Sequence, residues 1–341
     1  MKFPANSAAA VHGVVGALGR VAQPVQPQLD EVDRRIAAQA SAFDPAIEGY
    51  VSYALGSGGK RLRPLVALLS GGATGSLGGG HLDLAVIVEL IHLATLVHDD
   101  IMDEAERRRS QPTVNARWGN SLSVLLGDVL FAHALNLSTE FDDLHISRTI
   151  ARTATEVCSG EMLQTQRRFD LQLSRADYFR IIEMKTGSLF ACAAELGAVL
   201  SGAAKPVVRQ LRTYGAKIGT AYQIYDDCLD IAGNENETGK TLGTDLRKGK
   251  LTLPVLTLLA SASEFDRERC CALVLEGRLA EVAALLQDSP ADGALGMAIE
   301  TATELIREAQ NQLARLNSNR CVDSLFGLGE ALIELLEPLR T

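Results

Sequence analysis

The sequence predicts an all-α protein, and three observations predict it. Extended Val/Ile/Thr alternation is almost absent, apolar residues recur at i, i+3 and i+4 nearly throughout, and the interruptions between such runs are short. The stretch Leu84, Ile87, Val88, Ile91 and Thr95 shows the spacing clearly. With 341 residues, 47% hydrophobic and 22% charged, the chain has ample apolar material for a core, and its composition excludes a disordered or fibrous polymer.

In chain order, residues 1–25 carry little periodicity and are expected to be poorly ordered. Their apolar stretch from Ala8 to Leu18 is interrupted by His12 and glycines, which makes a poor secretory core. Breaks follow at Gly56–Gly59, across the glycine-rich 71–80 stretch, at Arg109–Pro112, at Asn234–Thr244 and at Ser289–Gly293. None has linker composition long enough to separate one core from another, so residues 26–341 are expected to form one helical domain. The most apolar segment, Leu84 to Val97, carries Glu89 and His92 and runs straight into carboxylates, which predicts a buried helix rather than a transmembrane span.

Charge and sulfur narrow the function. Lys+Arg number 33 against 42 Asp+Glu, a formal net charge of −9 that argues against a nucleic-acid partner, because such a surface must offset the polymer's phosphates. A phosphorylated ligand would need local basic residues or metal ions. The six cysteines include no C-x-x-C pair, as expected of a reduced, cytoplasmic protein.

One motif occurs twice. D-D-x-x-D appears at Asp99-Asp100-Ile101-Met102-Asp103 and again at Asp226-Asp227-Cys228-Leu229-Asp230. Residues four apart share a helix face, so each copy sets like charges side by side at the end of an apolar run. A cation should compensate them. Oxygen-only ligands favour a hard ion, and Mg²⁺ binds through one or two carboxylates plus substrate phosphates. A single copy is as readily a solvated acidic helix end, but two copies on separate apolar helices favour the metal site. Basic residues lie at suitable places for phosphate: Lys60 and Arg63 at a helix entrance, and Arg107-Arg108-Arg109 one helical turn after the first acidic motif.

Two further patterns lead nowhere. Gly239-Lys240-Thr241 resembles the end of a P-loop, but residue 234 is Asn where that motif needs Gly. Glu89-x-x-His92 is half of a di-iron site whose second half is missing, and no Ser/His/Asp triad stands out.

From about residue 40 onward the chain resembles the trans-prenyl (polyprenyl) diphosphate synthase family, in particular its long-chain octaprenyl and solanesyl types. The markers are G-G-K-R-L-R-P at 58–64, H-x-x-x-x-x-H-D-D-x-x-D at 92–103, R-R before Q-P at 108–112, Lys185-Thr186, Y-Q-I-Y-D-D-C-L-D-I-A-G at 222–233, and G-K-T-L-G-T-D-L-R-K-G-K at 239–250. Ser110 departs from the glycine common after the Arg pair. The resemblance implies an isoprenoid-synthase-type helix bundle around a central apolar cavity, assembled as a homodimer, that condenses isopentenyl diphosphate with an allylic diphosphate (dimethylallyl, geranyl or farnesyl).

The same resemblance implies roles residue by residue. Asp99 and Asp103 would hold two Mg²⁺, and Asp226, with Asp230 near it, a third, giving about three per site. Arg108, Lys185, Lys240 and Lys250 would clamp the allylic diphosphate, and Lys60, Arg63, His92 and Arg109 that of isopentenyl diphosphate. The Lys185 carbonyl, the Thr186 hydroxyl and the Gln223 amide would face the developing carbocation. A terpene cyclase usually replaces the second aspartate motif, and a non-catalytic partner subunit tends to lose one; both motifs stand here. The small Ala94 and Thr95, five and four positions before Asp99, imply an open product tunnel and a product of geranylgeranyl length or longer.

Overall fold

The structure, a computed structural model, describes residues 16, 18–108, 111–233, 243–278, 281, 282, 284, 285 and 293–340. Fifteen α-helices among these residues carry the fold. The first four are α1 (Gln26–Ala38), α2 (Pro45–Leu55), α3 (Leu62–Thr74) and α4 (Gly79–Met102). After a two-residue antiparallel ribbon of β1 (Arg107–Arg108) and β2 (Gln111–Pro112) come α5 (Val114–Trp118), α6 (Asn120–Ser138), α7 (Leu144–Gln166) and α8 (Arg175–Ile182). A π-helical turn, Glu183–Gly187, runs from α8 into α9 (Ser188–Leu200) without a break, followed by α10 (Lys205–Ala232) and the short α11 (Thr244–Arg247). The chain closes with α12 (Leu253–Ser261), α13 (Glu264–Leu275), α14 (Ala294–Leu313) and α15 (Arg320–Leu336).

Local chemistry sets the helix ends. Asp44, Asp143, Ser174 and Asn319 each stand at an N-cap, where their side-chain oxygens accept otherwise unpaired backbone N–H groups of the first turn. The core is built on α3, α4, α9 and α10. In α9 every residue from Leu189 to Ala198 is buried, and all but Glu195, which pairs with Arg212, are apolar, so the helix is hydrophobic nearly all round rather than amphipathic. Helix α10 lies close against α9 because residue 215 is glycine: a Cβ there would stand 2.4 Å from the Phe190 carbonyl oxygen.

Three expectations are corrected. Residues 18–25 are helical, with Val21, Ala22 and Val25 buried against the bundle, so the poorly ordered segment expected over 1–25 does not extend to its last eight residues. Residues 1–15 and 17 lie outside the described residues. The glycine-rich break is shorter than 71–80, since α3 continues to Thr74 and α4 starts at Gly79. Arg107 and Arg108 form a ribbon rather than a helical turn, because Asp103 has already ended α4 and the Thr113 N–H bonds back to the Glu106 carbonyl.

Helix α4 is longer than its apolar segment suggested, and both it and α6 are long and apolar enough to cross a bilayer by length and composition alone. In α4 67% of that apolar window is buried inside the protein, which makes it the central core helix; in α6 only 33% is. All six cysteines are free thiols.

Candidate active site

The first aspartate motif ends α4. Asp103 is its C-cap, with its N–H donated to the Asp99 carbonyl at 2.8 Å. Its carboxylate collects Lys250 Nζ at 2.9 Å, Arg168 Nη2 at 3.3 Å and Lys248 Nζ at 3.7 Å. Burial pushes the Asp103 carboxyl up, but Lys250 and Lys248 outweigh it and hold it below the usual range. Asp100 is buried and accepts from both Nε (2.9 Å) and Nη2 (2.8 Å) of Arg108. Asp99 is pushed up to about 6 by burial, with Lys185 opposing from 3.7 Å.

Lys185 and Thr186 occupy the π-turn, a feature that is rare in helices and frequent at functional sites. Helix α7 passes close to it: a Cβ on Gly160 would stand 2.6 Å from the Lys185 amide nitrogen. Beside that glycine, Glu161 pairs with the Lys185 ammonium, and Gln164 accepts from it at 2.9 Å. Burial disfavours the Lys185 charge, yet Asp99 and Glu161 more than reverse this and raise its pKa. Sequence reasoning missed Glu161, whose partner is 24 positions away and on another helix.

The second motif lies in the last turns of α10. Asp227 is buried and accepts from Tyr178 Oη at 2.6 Å and Gln223 Nε2 at 2.9 Å, while Gln223 Oε1 accepts from Thr186 Oγ1 at 2.7 Å. A continuous chain Thr186, Gln223, Asp227, Tyr178 results. Burial pushes Asp227 up to about 8. Asp230 turns to the following loop: its oxygens accept from Thr244 N (3.2 Å), Thr244 Oγ1 (3.0 Å) and Asp245 N (3.0 Å), capping α11. Sequence reasoning missed Asp245 as well. Burial, then the nearby Asp230, push it up to about 6, and its carboxylate stands 3.7 Å from Lys250. The visible signal is its place between the lysines of the 239–250 motif.

At the entrance of α3, Lys60 Nζ lies 5.8 Å and 6.0 Å from the ring centres of Tyr222 and Tyr225, and Arg63 stacks on Phe190 at 4.8 Å. Both basic residues therefore reach toward the helices that carry Thr186 and Asp226. Arg63 is half-buried, its Nε is buried without a hydrogen-bond partner, and burial lowers its pKa. Arg61 between them is structural, paired at 2.7 Å with both Glu89 and Asp33. That pairing accounts for Glu89 in the Glu89-x-x-His92 pattern. His92 is half-buried on α4. Arg109 and Lys240 lie outside the described residues.

The donor set suits a hard divalent ion. Among the described residues no three carboxylate, imidazole or thiolate side chains converge into a finished metal cage. That fits an ion held by one or two carboxylates and completed by substrate oxygens. Burial raises the Asp99, Asp227 and Asp245 carboxyls by disfavouring their ionised forms, a cost that a bound cation would offset.

Residues 44–287 match the polyprenyl synthetase family. An octaprenyl diphosphate synthase of Haemophilus influenzae is 38% identical over 230 residues, covering 67% of this chain and 70% of its own length. A nonaprenyl diphosphate synthase of Rhodobacter capsulatus is 33% identical over 319 residues, 92% of this chain and 97% of its own. Among solved structures, a polyprenyl synthase of Caulobacter crescentus, complexed with calcium and isoprenyl diphosphate, superposes with a TM-score of 0.86 at 34% identity, over 93% of this chain and 97% of that one.

Proposed function

The chain belongs to the polyprenyl synthetase family, and we propose that its two aspartate motifs and the π-turn between them join isopentenyl diphosphate to an allylic diphosphate. It is a trans-polyprenyl diphosphate synthase, a prenyltransferase of isoprenoid biosynthesis. One observation carries the assignment of the site. The π-turn sets Lys185 Nζ 3.7 Å from Asp99 of the first motif and Thr186 Oγ1 2.7 Å from Gln223, which itself bonds Asp227 of the second.

Breaking the allylic C–O bond leaves a carbocation and an inorganic diphosphate, so the protein must stabilise negative charge on one side and tolerate positive charge on the other. Asp99, Asp103 and Asp226 would hold Mg²⁺, which when bound neutralises the leaving diphosphate. Asp230, already capping α11, serves by holding the loop rather than as a primary ligand. Lys185, Lys248, Lys250 and Arg168, now paired with carboxylates, are placed to turn to phosphate oxygens, and Lys240 would join them. Arg108, tied to buried Asp100, presents its remaining donors at the same end of α4. Lys60, Arg63, His92 and Arg109 would hold the second diphosphate, so that the isopentenyl double bond meets the cation at short range. The Thr186 hydroxyl and the Gln223 amide face that cation without a nucleophile among them. Loss of a proton to the departing diphosphate completes the reaction.

Product length follows the same geometry. Ala94 is fully buried and Thr95 half-buried on α4, and neither offers an aromatic floor. Phe131 stacks on His98 at 6.2 Å, beside the aspartates rather than deep in the bundle. A product of at least geranylgeranyl length is therefore favoured, and Ala94→Phe should shorten it. Helix α6 exposes Val124 and Leu125 on an apolar face, which supports a twofold homodimer, although relatives named as component 2 of a heptaprenyl diphosphate synthase point to heteromeric assembly in some of the family. The deciding experiment incubates the purified protein with isopentenyl diphosphate, a series of allylic diphosphates and Mg²⁺, then separates the dephosphorylated products. No elongation with any primer would refute the function, and light scattering at twice the monomer mass would support the dimer.

A further inference from the structure

Helix α7 ends at Gln166, and the turn that follows does something its sequence does not advertise. Phe169 adopts φ +60°, in the left-handed region where the Cβ crowds the backbone and where Asn or Gly fits better. Its N–H donates to the Gly249 carbonyl at 2.8 Å. Its ring lies directly on Gly249, where a Cβ would meet three ring carbons at 2.5–2.6 Å, and Gly249 is itself left-handed at φ +74°. The phenyl group is 49% exposed, so core burial does not explain the strained backbone.

What the contact does explain is the placing of charge. Gly249 separates Lys248 and Lys250, both of which reach Asp103, at 3.7 Å and 2.9 Å. The residue before Phe169, Arg168, reaches the same carboxylate at 3.3 Å and the Met102 carbonyl at 3.5 Å. The turn is locked from within, since Arg167 pairs with Asp170 at 2.8 Å and Asp170 accepts the Gln172 N–H at 3.0 Å. Strain maintained beside a cluster of functional charges is the pattern expected of a pre-organised site. We propose that Phe169 is a positioning residue: it clasps Gly249 and so fixes the Lys248 and Lys250 ammonium groups over the first aspartate motif, where they meet the allylic diphosphate. The substrate assignment rests on the function proposed above; the clasp itself does not.

The test uses the full-length protein as Phe169→Ala, Phe169→Asn, Phe169→Tyr, Gly249→Ala and the Phe169→Ala/Gly249→Ala double variant. In the metal-free protein, amide exchange at residues 246–250 should quicken about tenfold in Phe169→Ala and Phe169→Asn, even though Asn suits the backbone better, and stay near wild type in Phe169→Tyr. The KM for the allylic diphosphate should rise about tenfold in the same two variants, while that for isopentenyl diphosphate stays within about a factor of two. Gly249→Ala should add less to exchange in the Phe169→Ala background than in the wild type, because the ring it collides with is gone. Unchanged exchange in both Phe169→Ala and Phe169→Asn would overturn the clasp, and equal rises in both KM values would overturn its role in positioning. If no allylic diphosphate is elongated at all, the functional reading falls, and the exchange data still decide whether the clasp exists.

Discussion

The two D-D-x-x-D motifs are alike in sequence and unlike in surroundings. Around the first, the carboxylates meet full charges: Arg108 on Asp100, Lys185 on Asp99, and Lys248, Lys250 and Arg168 on Asp103. In the second, Asp227 and Asp230 meet neutral donors, with Tyr178 and Gln223 on Asp227 and the Thr244 hydroxyl and backbone N–H groups on Asp230. Burial raises both middle aspartates, but at Asp100 the Arg108 guanidinium opposes the rise, while Asp227, among neutral donors, is pushed up to about 8. A shared motif thus serves two purposes. The first gathers cationic side chains, and the second gathers neutral donors around a carboxyl whose ionised form burial disfavours.

The largest expected effect tests whether the two halves work as one. Asp99→Ala and Asp226→Ala should each lower kcat by about 10³-fold with helicity unchanged by circular dichroism, and a near wild-type rate in either would break the comparison. Next in size, Lys60→Ala or Arg63→Ala should raise the KM for isopentenyl diphosphate by about tenfold or more and leave the allylic KM nearly unchanged, since these residues stack on Tyr222 and Phe190 rather than pair with the first motif. Equal effects on both substrates would merge the two sites.

Smaller effects sharpen the contrast between the middle and last aspartates. Asp100→Asn leaves Arg108 without its charge partner and should cost about 1–2 kcal/mol in urea unfolding. Asp230→Ala should cost about 1 kcal/mol, the loss of a helix cap, and loosen residues 243–247 in exchange measurements. Burial raises the carboxyl of Asp100 and, further, that of Asp227. The Asp227 carboxyl titrates near 8 when folded and near 4 when unfolded, so its contribution is complete below about pH 4 and is lost as pH rises through about 8. In chelated protein, Tm should therefore fall more between about pH 5 and about pH 8 in the wild type than in Asp227→Asn, and parallel curves would remove the assigned burial.

What was legible in the sequence is what depends on residues close in the chain. The helical periodicity, the paired aspartates and the basic α3 entrance all fall within a few turns, and each has its place in the structure. Glu161 and Asp245 escape such reading because their meaning lies in partners brought by other elements, and a lone acidic residue on a helix carries no local mark. Arg107-Arg108 reads as a helical turn since nothing nearby forbids one; the ribbon exists because the Thr113 N–H finds the Glu106 carbonyl. The reach of helix into residues 18–25 likewise depends on the bundle that buries Val21 and Val25.

The π-turn at Glu183–Gly187 has one more consequence. It adds a residue to the circumference of a single continuous rod, Arg175–Leu200, so the rod's two halves are out of phase by about 100° compared with an unbroken helix. Tyr178 upstream and Phe190 downstream both meet α10, at Asp227 and at Gly215 respectively, one on each side of that offset. Deleting any one residue between 183 and 187 would let the ordinary ladder close and swing one half away from α10. This stretch should therefore reject a one-residue gap that a surface loop would absorb, and the reading frame of the rod, as much as the identity of Lys185 and Thr186, is under constraint.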